Sequence, residues 1–228
     1  MKKIAMRRKI LILSGPTHEY IDPVRFVGNA SSGKMGKAIA EEACGRGYDI
    51  EFITGPVAEE NLPAQPSRRS HAKADNNIHI HKVTSAEEML AAARELSEKA
   101  DVIIFAAAVA DYAPVETLPE KMAKSTDKLT LRLQPTPDIA KTLCADKVPE
   151  QIAIGFALQT TDGETNARHK LESKNLDGIV LNTPATLGAE NGTFSFLSHN
   201  AAHFDEWGHI GKTECAKKIL EAIDGLTA

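Results

Sequence analysis

Residues 101–108 read Asp-Val-Ile-Ile-Phe-Ala-Ala-Ala, and this stretch decides the fold class. After Asp101 no residue is polar. A strand with one wet face alternates apolar and polar side chains, whereas a run that is apolar throughout belongs to a strand covered on both faces. Such strands sit inside parallel sheets flanked by helices. Working outward, Ile10-Leu11-Ile12-Leu13 is a second run of this kind, closed by Ser14-Gly15-Pro16. Residues 49–54, 78–83, 152–157 and 178–181 are further strands. Helical patterns lie between them. Residues 33–46 place Ala38, Ile39 and Ala43 at helical spacing, with Gly45 and Gly47 at the end. Ser85-Ala-Glu-Glu88 is a capping sequence that opens a helix running to about Lys99. Residues 138–144, 162–174 and 212–225 complete the set. The alternation predicts an α/β fold with a mostly parallel central sheet. Residues 129–133 alternate as one more strand, and 194–197 with 202–204 read as a hairpin or edge pair. Residues 56–77, rich in Pro, Ser, Asn and charge, predict a long mobile surface loop. Residues 111–135 read as an excursion from one domain spanning 1–228.

Composition excludes several classes of function. Of 228 residues, 42% are hydrophobic and 25% charged, which is ordinary for a globular chain and excludes disorder. No apolar run approaches the ~20 residues that cross a bilayer, so no membrane partner is expected. The net charge of −4 excludes a nucleic-acid binder held by bulk positive charge, so any polyanion must meet a local cluster of Lys and Arg. Cys44, Cys144 and Cys215 are far apart and form no CxxC pair, which argues against zinc or redox motifs and for a reducing cytosol. The basic start at residues 1–9 precedes an apolar run too short for a secretory signal.

The densest chemical signal is Gly28-Asn29-Ala30-Ser31-Ser32-Gly33-Lys34-Met35-Gly36. It nearly spells a P-loop, but Met35 stands where a magnesium-binding hydroxyl belongs, and the first strand ends well before it. What survives is an anion site: small residues admit phosphate, Ser31 or Ser32 can cap the helix, and N–H groups at a helix start attract anions. A plain helix cap is the competing explanation. Arg25 follows the first strand's carboxyl end and suits a carboxylate or phosphate fork, or a solvated loop. Phe105-Ala-Ala-Ala-Val-Ala-Asp111 puts small residues and then a carboxylate at another strand end, suited to magnesium or to a turn. Pro119-Glu-Lys121-Met-Ala-Lys124 is an irregular lysine-bearing loop that can close over a polyphosphate. Asn166, Lys170 and Lys174 share one helix face. Phe156 can stack on a base or simply fill the core.

Taken in order, these stretches resemble the phosphopantothenate–cysteine ligase (phosphopantothenoylcysteine synthetase) family. The resemblance runs from about Ile10 to the closing helix. It rests on GPTxExIDPVRFxxNxSSGKMG at 15–36, AAVADY at 107–112, PEKMxK at 119–124, TPDIA at 136–140, GFA at 155–157, and the spaced Lys170 and Lys174. It implies a Rossmann-like three-layer fold, a cytoplasmic homodimer, and a small flap around 113–127. It also implies that phosphopantothenate and cysteine are joined through an acyl-nucleotide, with CTP more than ATP as co-substrate, Mg2+ as cofactor and no flavin. The family's nucleotide contacts fall on Phe105, Ala106, Ala107, Asp111, Lys121, Pro137, Asp138, Ile139, Ala140, Phe156, Lys170 and Lys174. Its catalytic positions match Asn29, Arg25 and Lys121. Phosphate and substrate contacts are expected at Gly15, Ser31, Ser32, Gly33, Lys34 and Ala108, and magnesium at Asp111.

Two departures stand out. Many relatives carry GFAAET where this chain has Gly155-Phe-Ala-Leu-Gln159-Thr160, so a carboxylate is replaced by Gln159. The 56–77 loop adds a basic patch at Arg68, Arg69, His71 and Lys73. The length also leaves no room for the flavin-dependent decarboxylase that many bacteria fuse ahead of such a ligase, so a stand-alone ligase is expected. Two rivals remain at the level of sequence. A nicotinamide-dependent reductase would need GxGxxG directly after the first strand, which is absent. A module that binds nucleotide or acyl phosphate without turnover would keep the same residues.

Overall fold

The computed structural model describes residues 8–64, 78–159 and 161–226. In chain order the strands and helices are β1 (Lys9–Ser14), β2 (His18–Tyr20), β3 (Phe26–Gly28), α1 (Lys34–Gly45), β4 (Asp49–Thr54), β5 (Ile78–Lys82), α2 (Ala86–Ser97), β6 (Val102–Phe105), β7 (Tyr112–Pro114), β8 (Leu133–Pro135), α3 (Ile139–Ala145), β9 (Ile152–Leu158), α4 (Gly163–Ser173), β10 (Gly178–Asn182), β11 (Asn191–Ser198), β12 (Asp205–Gly211) and α5 (Lys212–Leu226). Among the described residues, eight strands form one sheet in the order β12-β11-β10-β9-β6-β1-β4-β5. The six from β5 to β10 are parallel, and β11 and β12 extend the edge antiparallel. Counted by their order in this sheet, the parallel strands run 3-2-1-4-5-6, the doubly wound arrangement whose ligand crevice lies between the first and fourth strands. The expected Rossmann-like fold is observed.

The unbroken apolar runs follow from the layering. On β1, Ile10 and Ile12 face the layer of α1 and α5, where they meet Ile39, Ala43 and Ile219. Leu11 and Leu13 face the opposite layer and meet Met89, Ala93 and Ile139 of α2 and α3. On β9 the alternation continues, with Ile152 and Ile154 on the α1/α5 side and Ala153 and Ala157 beneath α4. β1 and β9 therefore bury residues on both of their faces. Ser85 caps α2 through the Glu88 N–H, as the sequence predicts, and Asp138, expected inside α3, is instead its cap through the Lys141 N–H.

Several expectations require correction. The strand expected at 101–108 ends at Phe105; beyond it the Ala106 N–H still donates to the Leu13 carbonyl of β1, and Ala108 pairs with Pro16, just past the end of β1. The strand expected at 129–133 is absent. Its leucines are exposed, and only Leu133 enters a strand, the short β8 paired to β7. The outer partner of β11 lies at Asp205–Gly211, not at 202–204. The basic patch from Arg68 to Lys73 lies outside the described residues; of the expected loop, 56–64 is described and includes one 3-10 turn, Glu59–Asn61. No helix among the described residues is long and apolar enough to cross a membrane.

Candidate functional site

A cavity of about 690 Å³ opens at the carboxyl ends of β1, β6, β9 and β10, over the crevice between β1 and β6. Its first wall is the segment from Asn29 to Gly36, which leads into α1. Here the structure replaces the expected serine cap. Gly33 is the N-cap, at φ 76, and no side chain caps the helix. Ser31 instead accepts from the Gly33 N–H at 3.4 Å. The helix start sits unusually close to β1, because Gly36 lies against Ser14; a Cβ there would meet the Ser14 hydroxyl at 2.1 Å. Residues Gly33 through Gly36 border the cavity, so α1 presents an uncapped first turn to it.

The second wall is the strand end from Phe105 to Val109, with Asp111. The three alanines leave space that larger side chains would fill. Asn29 crosses to this wall. Its amide nitrogen donates to the Val109 carbonyl at 2.9 Å and reaches the Ala108 carbonyl at 3.4 Å. Asp111 is exposed at the rim. Thr136 ties the rim down by donating to the Ala110 carbonyl at 2.6 Å.

The third wall combines 136–140 with Phe156, Lys170 and Lys174. Lys174 Nζ pairs with Asp138 at 2.8 Å, and Asp138 also caps α3, so one carboxylate fixes both elements. Burial alone would raise Asp138. The Lys174 hydrogen bond and the Lys141 N–H outweigh burial and hold the carboxyl below its ordinary value. Lys170 Nζ donates to the Phe156 carbonyl at 2.5 Å. Burial pushes its ammonium down and the neighbouring Lys174 adds to the effect, while Asp138 and Asp111 oppose it; the result is about 8.

The structure thus gathers Asn29, Ser31, Ser32, Gly33, Lys34, Phe105, Ala106, Ala107, Ala108, Asp111, Pro137, Asp138, Ile139, Ala140, Phe156, Lys170 and Lys174 around one cavity. Gly15, Arg25 and Lys121 are not on its wall. Gly15 is buried behind it, in a left-handed turn at φ 72 against Thr54 and Val57. One guanidinium nitrogen of Arg25 is taken by Asp22 and the Met122 carbonyl. Lys121 is exposed in the segment joining β7 to β8. Asn166 is also off the wall and binds Gln159, which itself lines the cavity.

Sequence reading missed a fourth wall, formed by Asn182, Thr186, Leu187, Gly188 and Lys212. Lys212, the first residue of α5, is buried and donates to the carbonyls of Thr186 and Ala189. Lys34 reaches the same loop, binding the Gly188 carbonyl at 3.1 Å and the Glu190 carboxylate. Two lysines from distant helices therefore hold one loop. The only local hint was Thr183-Pro184 after a strand. Asn182 carries a buried side-chain oxygen without a hydrogen-bond partner at this end of the cavity. Among the described residues no three His, Cys, Asp or Glu side chains cluster as a metal site.

Comparison with known proteins narrows the field. The family described as the DNA/pantothenate metabolism flavoprotein C-terminal domain matches residues 5–226. The chain is 39% identical over 217 residues to a protein named cysteine/cysteine sulfinic acid decarboxylase, from an unknown prokaryotic organism, covering 95% of this chain and 56% of that one. It is 37% identical over 223 residues to the coenzyme A biosynthesis bifunctional protein CoaBC of Bacillus subtilis (strain 168), covering 96% of this chain and 52% of that one. The chain therefore spans about half the length of these curated relatives. It superposes on the crystal structure of the C-terminal domain of a CoaBC protein with a TM-score of 0.77 at 36% identity, covering 96% of this chain and 95% of that one.

Proposed function

The chain belongs to the family of the DNA/pantothenate metabolism flavoprotein C-terminal domain, and from that premise we propose that it is a ligase joining phosphopantothenate to cysteine in coenzyme A biosynthesis. The observation that carries this reading is the single cavity into which an uncapped helix start, Asn29, Asp111, Lys170 and Lys174 all converge. An uncapped first turn binds phosphate through its N–H groups and dipole. Lys170 and Lys174 supply positive charge on the opposite wall. A cavity of this size accommodates a nucleotide together with an acid substrate.

In the proposed reaction the phosphopantothenate carboxylate attacks the α-phosphate of CTP and pyrophosphate leaves. The amine of cysteine then attacks the acyl carbon and displaces CMP, forming the amide. No covalent nucleophile from the protein is required, because the nucleotide activates the acid. Holding both reactants in one cavity removes much of the entropic barrier. Asn29 has its amide nitrogen engaged by the Ala108 and Val109 carbonyls. We assign its oxygen to accept from the attacking amine, so that it acts in the second half-reaction. Lys121, on the 113–127 flap, is assigned to the charge that develops on the α-phosphate and leaving group. Asp111, the exposed carboxylate at the rim, fits a magnesium ion carried on the triphosphate, since magnesium commonly takes one or two carboxylates plus substrate phosphates. Bound there, the ion would shield phosphate charge.

The homodimer and the cytoplasmic setting belong to the same proposal. Tyr20 and Phe26 on the β2–β3 ribbon, with Tyr112 and Leu133 on the β7–β8 ribbon, are exposed and apolar, as a self-association surface would be. Light scattering tests that part. The activity is tested by incubating the protein with phosphopantothenate, cysteine and each nucleoside triphosphate and following pyrophosphate. Binding of nucleotide without pyrophosphate release would favour a non-catalytic module.

A further inference from the structure

The segment from Val115 to Arg132 contains no helix or strand, yet it is tied to the β2–β3 loop, most densely at Met122. Asp22, in the loop between β2 and β3, is completely buried. Its Oδ1 accepts from the backbone N–H groups of Val24 at 2.8 Å and Arg25 at 2.9 Å. Its Oδ2 accepts from the Met122 N–H at 3.1 Å and from the Arg25 guanidinium. The same guanidinium nitrogen donates to the Met122 carbonyl at 3.1 Å. Both backbone polar groups of Met122 are therefore held by a carboxylate and a guanidinium that come about a hundred residues earlier in the chain. Two further bonds stitch the approach to this point: Thr117 Oγ1 to the Tyr20 carbonyl at 3.0 Å, and the Leu118 N–H to the Ile21 carbonyl at 2.9 Å.

We propose that Asp22 is a positioning residue that acts through Lys121: with Arg25 it clasps the backbone of Met122, and so fixes the point of the flap from which the Lys121 side chain reaches the reacting phosphate. The proposal rests on the role given to Lys121 above.

Three features argue for it. A lysine in an irregular exposed segment has no ladder or helix to place it, and electrostatic catalysis works only when the charge stands in position before the reaction. The clasp fixes the backbone one residue from Lys121, which itself stands off the cavity wall. Second, the clasp is built to stay charged. Burial alone would raise the Asp22 carboxyl, but the N–H groups of Val24, Met122 and Arg25 and the Arg25 guanidinium outweigh it and hold it at about 2. Four donors converge on its two oxygens, so the buried charge is fully paired. Third, Arg25 runs directly into β3 and then Asn29, so the clasp connects the flap to the residue assigned to the second half-reaction. One nitrogen of the Arg25 guanidinium expected to meet substrate is thus held by Asp22 and the flap.

Asp22→Asn keeps the shape and the backbone contacts of Oδ1 and removes the charge. Hydrogen exchange of the peptide containing Met122 should accelerate about tenfold or more in this variant, while the exchange of β1 and α1 is unchanged. This readout is independent of the reaction catalysed. In turnover, the rate of pyrophosphate release should fall about tenfold with the KM for cysteine unchanged, and the same substitution placed in a Lys121→Ala background should cause no further loss. Equal losses in both backgrounds, unchanged exchange, or faster exchange without loss of turnover would each overturn the proposal. If Asp22→Asn does not fold, Arg25→Lys, which shortens the reach to the Met122 carbonyl, is measured in the same way with the same expectations. A wild-type protein that releases no pyrophosphate would remove the ligase reading, and with it the role of Lys121, while the exchange experiment would still decide whether the clasp exists.

Discussion

Lys170→Met should make the protein more stable while disabling its nucleotide site. The Lys170 ammonium sits against the Phe156 carbonyl, with Lys174 nearby, and its pKa is lowered from 10.5 to about 8. At 1.36 kcal/mol per pH unit, that fall corresponds to about 3 kcal/mol of destabilisation of the charged form in the folded state. Solvent at the cavity mouth screens part of it, and the hydrogen bond to Phe156 returns some, so the net gain on removing the charge is about 1–3 kcal/mol at pH 7. For a chain of this length each kcal/mol moves Tm by about 2–4 °C, so the midpoint should rise by roughly 2–12 °C. The sign of the pH dependence follows from proton linkage. Between about pH 8 and 10.5 the folded state has released a proton that the unfolded chain still binds, so wild-type stability rises with pH in that window. The advantage of the methionine variant should be constant below about pH 8 and shrink above it. Urea denaturation at pH 7, 8.5 and 10, followed by circular dichroism, measures this. A variant less stable than wild type at pH 7, or an advantage that does not change up to pH 10, would refute the reasoning. The same variant should bind CTP poorly, since a destabilising charge retained in a cavity is usually retained for its ligand.

Further expectations follow from the same geometry. Affinity for CTP should weaken as pH rises through about 8, where Lys170 loses its proton, and calorimetric titration between pH 7 and 9 should show that dependence disappear in Lys170→Met. Asn29→Ala should let the acyl-cytidylate accumulate, detectable by mass spectrometry, with product formation reduced more than activation; equal loss of both half-reactions would count against the role given to its amide. Gly36→Ala should destabilise the protein by about 1–3 kcal/mol in urea, because the new methyl would sit 2.1 Å from the Ser14 hydroxyl and force α1 off β1.

The parallel sheet was legible because its strands announce themselves: Ile10–Leu13 and Val102–Phe105 are apolar at every position, and only a doubly covered strand tolerates that. Residues 129–133 misled for the opposite reason. Leu129, Leu131 and Leu133 alternate, but no layer covers that segment, and periodicity without a surface to pack on does not make a strand. The outer edge strand β12 was misplaced because Asp205, Glu206 and Gly208 are poor strand formers, held there by pairing with β11. In the site, the positions at strand ends were readable, since their placement follows from topology alone. The wall made by Thr186, Gly188 and Lys212 was not. Lys212 and Lys34 meet the same loop only after folding brings the starts of α5 and α1 together, and no local spacing records that approach. Arg25 illustrates the remaining gap: its residue type indicated a fork for a carboxylate, and the structure provides one from Asp22.

The central claim is that one cavity activates a carboxylate with a nucleotide and then delivers it to an amine. The most direct measurement is a quantitative balance of pyrophosphate, CMP and phosphopantothenoylcysteine in a mixture of protein, magnesium, phosphopantothenate, cysteine and CTP. Equal amounts of all three, with pyrophosphate release dependent on phosphopantothenate, are the predicted result. No pyrophosphate with either CTP or ATP would contradict the account.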